Sequence, residues 1–293
     1  MTHLFMGAGV ALITPFNEDK SIDYSALERL IEDQISGEID YLVVLGTTAE
    51  TPVLSEIEKK EIVRFVIEKN AGRLKIVVGM GSNNTFGLVQ SIQSTDFTGV
   101  DAILSVTPYY NKPTQEGLFQ HFKMVVKASP VPIILYNVPG RTGVNMNAET
   151  TLRIANLSEK MVAIKEAAGD LSQFAKIISN APSHFKVISG DDALTFPSIA
   201  IGSIGVISVI ANALPKMLSH LTKASLKGNM PLAGQLHLQM VEMLKLIFKD
   251  GNPAGVKALM AIMGKDKNQL RLPLVPVSND TYALMETEFK KIN

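Results

Sequence analysis

Residues 161–167 read MVAIKEA: four apolar positions, then Lys165, Glu166 and Ala167. A short, unbroken apolar run of this kind marks a strand buried on both faces, as in a parallel sheet covered by helices. Working outward, the same run recurs as GVALITPF from Gly9, YLVVLG from Tyr41, KIVVGMG from Lys75, GVDAILSVTP from Gly99, VPIILYNVP from Val131, KVISGDD from Lys186 and GVISVIA from Gly205. The segments between carry helical period. Tyr24, Leu27, Leu30, Ile31 and Ile35 form one stripe, and Ser55 with Glu58 makes a capping box ahead of Ile62, Phe65 and Val66. Residues 117–126, 148–157, 171–178 and 214–226 continue the alternation with weaker patterns. Eight strand–helix units of about 28 residues predict an α/β fold, a closed (β/α)8 TIM barrel, in preference to an open doubly wound sheet.

After Gly228 the strand signal stops, and residues 231–249, 253–263 and 280–292 read as helices. The expectation is therefore a barrel over residues 1–228, with its active site at the C-terminal strand ends, and a helical extension over residues 229–293. The extension is too small to hold its own core and is expected to pack on the barrel or on a neighbouring subunit.

Composition narrows the function. Among 293 residues, 28 basic and 28 acidic side chains cancel, which argues against a nucleic-acid partner. The chain has no cysteine, hence no disulfide, zinc–thiolate site or thiol nucleophile. The start, MTHLFMGAGVALITPF, lacks a signal-peptide pattern, and no apolar run approaches the roughly 18 residues of a membrane helix, so a cytoplasmic protein is expected. The five histidines lie apart, giving neither a triad nor a metal site. Residues 79–84, GMGSNN, resemble a dinucleotide fingerprint, but Asn84 stands where its third glycine belongs, and no nicotinamide or flavin cofactor is expected.

In such a barrel the chemistry sits at the C-terminal strand ends. Lys165 is the sharpest residue there. Directly after an apolar run, a lysine reaches water, pairs with an acid, or stands partly desolvated as a nucleophile toward carbonyls. Glu166 is a poor partner, because adjacent strand residues face opposite ways. Gly46-Thr47-Thr48 can hold a carboxylate through backbone N–H groups and hydroxyls, or can be an ordinary turn. Tyr136 can shuttle protons or simply pack, and Arg141, after a Pro-Gly turn, can clamp a carboxylate or stay solvated. Tyr109 and Tyr110 read equally well as packing. One of Asp191 and Asp192 is expected to cap the following helix.

Taken together, GTTAET (46–51), YYNKPTQEG (109–117), YNVPGRTG (136–143), IKEA (164–167), SGDD (189–192) and GVISV (205–209) resemble the dihydrodipicolinate synthases, pyruvate-dependent class I aldolases, and the likeness spans the chain. The resemblance implies a lyase of lysine and diaminopimelate biosynthesis. It would condense pyruvate with L-aspartate 4-semialdehyde to 4-hydroxy-tetrahydrodipicolinate, without cofactor or metal. It further implies that Lys165 forms the Schiff base and that Tyr136 moves protons. Thr48 and Tyr110 complete a hydroxyl relay, Tyr110 entering from a neighbouring subunit of a homotetramer. Thr47 and Thr48 bind the pyruvate carboxylate, Arg141 binds that of the semialdehyde, and Gly190 and Ile207 lend backbone groups. Neuraminate and 2-keto-3-deoxy-sugar-acid aldolases share the barrel, lysine and tyrosine, but their aldehydes lack the carboxylate that Arg141 suits. A non-catalytic barrel retaining the fold is the reading from another class.

Two departures stand out. Ala49 and Thr51 replace the glycine and serine of the family's usual GTTGES, and alanine fits only where φ is negative. At the positions matching the family's lysine effector site, the chain has Glu56, Lys59 and Gly87. Gly87 offers no carboxylate and Lys59 repels an ammonium, so weak feedback by lysine is expected.

Overall fold

A computed structural model describes residues 3–292. Eight strands, β1 Gly7–Ala11, β2 Tyr41–Val44, β3 Lys75–Gly79, β4 Ala102–Val106, β5 Ile133–Asn137, β6 Met161–Glu166, β7 Lys186–Ser189 and β8 Gly205–Ser208, run parallel in sequence order, and β8 pairs back to β1. The ring closes, so the predicted (β/α)8 barrel is the fold. Around it lie α1 Tyr24–Ser36, α2 Glu56–Asn70, α3 Thr85–Ser94, α4 Gln115–Ala128, the single turn α5 Pro139–Thr142, α6 Ala148–Ala155, α7 Leu171–Asn180, α8 Thr195–Ala200 and α9 Pro215–Leu226. The tail supplies α10 Met230–Lys249, α11 Ala254–Ile262 and α12 Asn279–Ile292.

Helix starts follow local chemistry. Ser55 and Glu58 form the expected capping box on α2. The sequence left α3 unassigned. Its N-cap is Asn84, whose side chain accepts from Gly87 N–H at 3.1 Å, so the residue that breaks the dinucleotide fingerprint serves as a helix cap. Asp191 caps a 3₁₀ turn after β7, and Asp192 is buried, accepting from Val209 N–H at 2.9 Å.

Period-two alternation divides the strands into two faces. Val43, Val77, Leu104, Ile134, Ala163, Ile188 and Ile207 fill the barrel interior with Phe5 and Tyr41. Ile103, Ile133, Leu135, Ile164 and Val187 face the helices instead. Gly9 is inward, and a Cβ there would lie 2.2 Å from the Tyr41 ring, so glycine makes room for the aromatic plug. At this N-terminal rim the charged groups serve the backbone. Asp40 accepts from Ala8 N–H at 2.7 Å, and Asp101 accepts from Ile76 N–H at 2.8 Å while pairing with Lys75. A recess of about 460 Å³ between Asp40, Arg73, Lys75 and Asp101 holds none of the candidate site residues.

The tail shares a core with the barrel. Met240, Leu244, Ile247, Leu259 and Met285 join one apolar cluster with Leu27, Ile31, Leu218 and Leu221 of α1 and α9. Among the described residues no helix is long and apolar enough to cross a membrane.

Candidate active site

The inward face at the C-terminal rim carries Tyr136 on β5 and Lys165 on β6, which are register partners. Lys165 is 5 % exposed, and its Nζ stands 4.4 Å from the centroid of the Tyr136 ring. Among the described residues it forms no ion pair. Glu166 turns outward to Asn137 and Gln173, as alternation requires. Of the readings open for Lys165, the solvated side chain and the structural salt bridge therefore both fail among the described residues. Gly190, just past β7, completes the lysine's surroundings. A Cβ there would lie 3.0 Å from Lys165 Cε and Cγ and 2.8 Å from Ala167 Cβ, so an alanine would force the lysine aside.

The loop after β2 is held in a strained form. Leu45 and Glu50, neither of them glycine, both adopt left-handed φ, 57° and 56°, on either side of a 3₁₀ turn over Thr47–Ala49. The loop is tied down by Thr51 Oγ1 donating to Gly46 C=O and Thr14 Oγ1 donating to Ala49 C=O, each at 2.8 Å. At the start of such a turn the N–H groups of Thr47 and Thr48 have no intrahelical acceptor, which suits them to an anion. Ala49 lies outside the positive-φ residues, so alanine is tolerated where the related motif has glycine.

Glu50 anchors the loop through a contact that no local pattern records. It forms a fully buried ion pair with Lys257 of α11 at 2.6 Å, both side chains 0 % exposed. Burial pulls the Lys257 ammonium below its usual range, and Glu50 works against that shift. Lys257 also donates to Gln269 C=O at 2.7 Å, and Glu50 accepts from Arg271 N–H at 3.0 Å. The tail reaches the site a second time through Asn252. Its Nδ2 donates to Thr48 Oγ1 at 3.1 Å, and its carbonyl accepts from Arg141 Nη2 at 3.4 Å. Asn252 Oδ1 is buried with no hydrogen-bond partner among the described residues. Thr48 and Asn252 stand 204 residues apart in sequence, so no local pattern could join them.

The remaining candidates divide. Arg141 is exposed on α5, beside Asn252. Ile207 is buried inside the barrel, with its backbone in register with Gly9. Tyr110 lies apart, 88 % exposed and at a left-handed φ of 74°. Within the single chain no hydrogen bond links Thr48, Tyr136 and Tyr110 among the described residues; the partner of Thr48 Oγ1 is Asn252. No cluster of histidine or acidic residues could hold a metal ion among the described residues.

The family model for the dihydrodipicolinate synthetase family matches residues 4–292. The chain belongs to this family. It is 51 % identical over 287 residues to the 4-hydroxy-tetrahydrodipicolinate synthase of Parabacteroides distasonis, covering 98 % of this chain and 97 % of the relative. Dihydrodipicolinate synthase from Thermotoga maritima superposes with a TM-score of 0.96 at 40 % identity, covering 99 % of each chain. A monomeric dihydrodipicolinate synthase variant superposes equally well, with a TM-score of 0.96, 39 % identity, and coverage of 99 % and 97 %. As a member of the dihydrodipicolinate synthetase family, this chain departs from the usual loop at Ala49 and Thr51. It also places Lys59 in an ion pair with Glu56 at 2.7 Å.

Proposed function

We propose that this protein is a Schiff-base lyase that condenses pyruvate with L-aspartate 4-semialdehyde to 4-hydroxy-tetrahydrodipicolinate. The observation that carries the reading is Lys165, nearly buried, paired with no acid among the described residues and packed on Tyr136 at the C-terminal mouth of the barrel.

The residue types suit the steps. Lys165 Nζ attacks C2 of pyruvate and water leaves, forming the imine. The imine draws electrons from the methyl group, which loses a proton to give an enamine. The enamine carbon attacks the aldehyde, making the new C–C bond. The amine of the semialdehyde then adds to C2 and expels Lys165, closing the ring with one water released overall. Thr47 and Thr48 would hold the pyruvate carboxylate, Arg141 that of the semialdehyde, and Gly190 and Ile207 would lend backbone groups. Protons would pass through Tyr136, Thr48 and Tyr110, the last from a neighbouring subunit of a homotetramer, and no cofactor or metal enters. A cytoplasmic location accords with such biosynthetic chemistry.

Borohydride with pyruvate should label Lys165, and pyruvate with aspartate semialdehyde should give product where pyruvate with N-acetylmannosamine does not. Product only with the sugar would favour the sugar-acid aldolases, and failure to label Lys165 a non-catalytic barrel. In the same assay, millimolar lysine should inhibit weakly, because the Lys59 ammonium lies at the matching effector position; strong inhibition below millimolar would refute this.

A further inference from the structure

The alternation that turns Tyr136 and Lys165 into the barrel turns the next residues outward, and those residues, Asn137 and Glu166, are themselves register partners. Asn137 Nδ2 lies 3.0 and 3.1 Å from the two carboxylate oxygens of Glu166. Gln173 Nε2 donates to one oxygen at 2.9 Å and Ala168 N–H to the other at 2.8 Å. Asn137 is fixed in turn, its Oδ1 accepting from Met146 N–H at 3.0 Å and its Nδ2 lying 2.7 Å from Asn145 Oδ1. Asn145 Nδ2 closes the circuit by donating to Gln173 Oε1 at 3.0 Å. Asn137 and Glu166 are both fully buried.

Among the described residues this carboxylate has no cation partner; amide groups alone satisfy it. Burying an acid this way costs more than an apolar pair of similar volume would. Such a network, fully satisfied, is stiff. Its stiffness acts on the two strand ends whose opposite faces carry Tyr136 and Lys165. A displacement of about 1 Å at reacting groups can cost about a hundredfold in rate.

We infer that Asn137 and Glu166 are positioning residues, clamping the ends of β5 and β6 behind the sheet so that Tyr136 and Lys165 meet the substrate in register. The inference rests on the Schiff-base reading of Lys165. Neither residue touches substrate, and each acts through its inward neighbour. The pyruvate carboxylate is assigned to the loop after β2, outside the clamp. Loosening the clamp should therefore slow imine formation and turnover while leaving pyruvate capture intact.

Rapid-quench borohydride trapping with pyruvate separates the two effects, because its rate reports chemistry and its final amplitude reports folded sites. Asn137→Ala should trap at least about tenfold more slowly, with full amplitude and a pyruvate KM within about threefold of the parent. Gln173→Ala, which removes one of the donors to Glu166 and leaves Asn137 in place, should show the same pattern more mildly, at about threefold, and decides the matter if Asn137→Ala does not fold. Parental trapping rates in the folded variants, or a loss confined to amplitude, would overturn the clamp. A parent protein that pyruvate does not label would instead overturn the Schiff-base reading beneath it.

Discussion

Single residues in this protein are read by what surrounds them. Lys165 and Lys257 are both buried lysines lying over aromatic rings, yet among the described residues Lys165 meets no acid while Lys257 meets Glu50. The first is the one left for the proposed Schiff base, and the second is structural. His121 makes the same point for titration. It is buried on α4, with Nδ1 2.8 Å from Thr85 Oγ1, and burial lowers its pKa to about 4 from an ordinary 6.5. Because the folded-state pKa lies below the unfolded one, the stability of the neutral ring is fully present above pH 6.5. It is lost as pH falls toward about 4. Between pH 7.5 and 4.5 this one group should remove about 2–3 kcal/mol. Urea unfolding at both pH values should show that loss in the parent and not in His121→Gln. The difference between the two proteins isolates the histidine from the buried acids, Glu166 and Asp192 among them, which burial shifts upward. Equal acid sensitivity of the two would count against the assignment.

At the scale of elements, the decisive join is between α11 and the loop after β2. The tail was expected as an appended layer; it supplies Lys257 beneath Glu50 and Asn252 beside Thr48 and Arg141. Arg271 adds a clamp to Glu58 of α2 and holds that carboxylate down at about 2. Removing one partner of a buried ion pair strands the other charge. Lys257→Met should therefore lower the unfolding free energy by about 3–5 kcal/mol. It should also raise the pyruvate KM, since Glu50 no longer anchors Thr47 and Thr48. Adding Glu50→Gln should restore part of the stability. A Lys257→Met protein with parental stability and KM would show that the pair holds nothing in place.

At the scale of the whole molecule, one chain leaves apolar surface uncovered. Ile57 and Phe86 are each 70 % exposed and Tyr110 is 88 % exposed. Asn83 donates to Tyr109 C=O at 3.3 Å, which sets the start of α3, with Phe86, beside the two tyrosines. This surface suits a second copy of the chain, and the proposed tetramer requires that copy to receive Tyr110. Sedimentation equilibrium should give a mass near four chains of 31.8 kDa, and activity should fall on dilution as the assembly dissociates. A fully active monomer would remove Tyr110 from the relay.

The sequence by itself determined the barrel and placed Tyr136 and Lys165 at its C-terminal strand ends. Apolar runs specify buried parallel strands, and period two then turns Glu166 away from Lys165; that Tyr136 shares the face of Lys165 and Asn137 that of Glu166 is set by the register of β5 against β6. Caps such as Ser55, and a cap at one of Asp191 and Asp192, are legible because their partners lie within three residues. The helix α3 was obscured because its glycine-rich start resembles a nucleotide loop. Only the tertiary structure decided that the tail holds the loop after β2, that Glu50 needs Lys257, and that Gly190 is small to clear Lys165. Those relations join residues far apart in the chain, and no local periodicity records which side chains a closed ring will bring together.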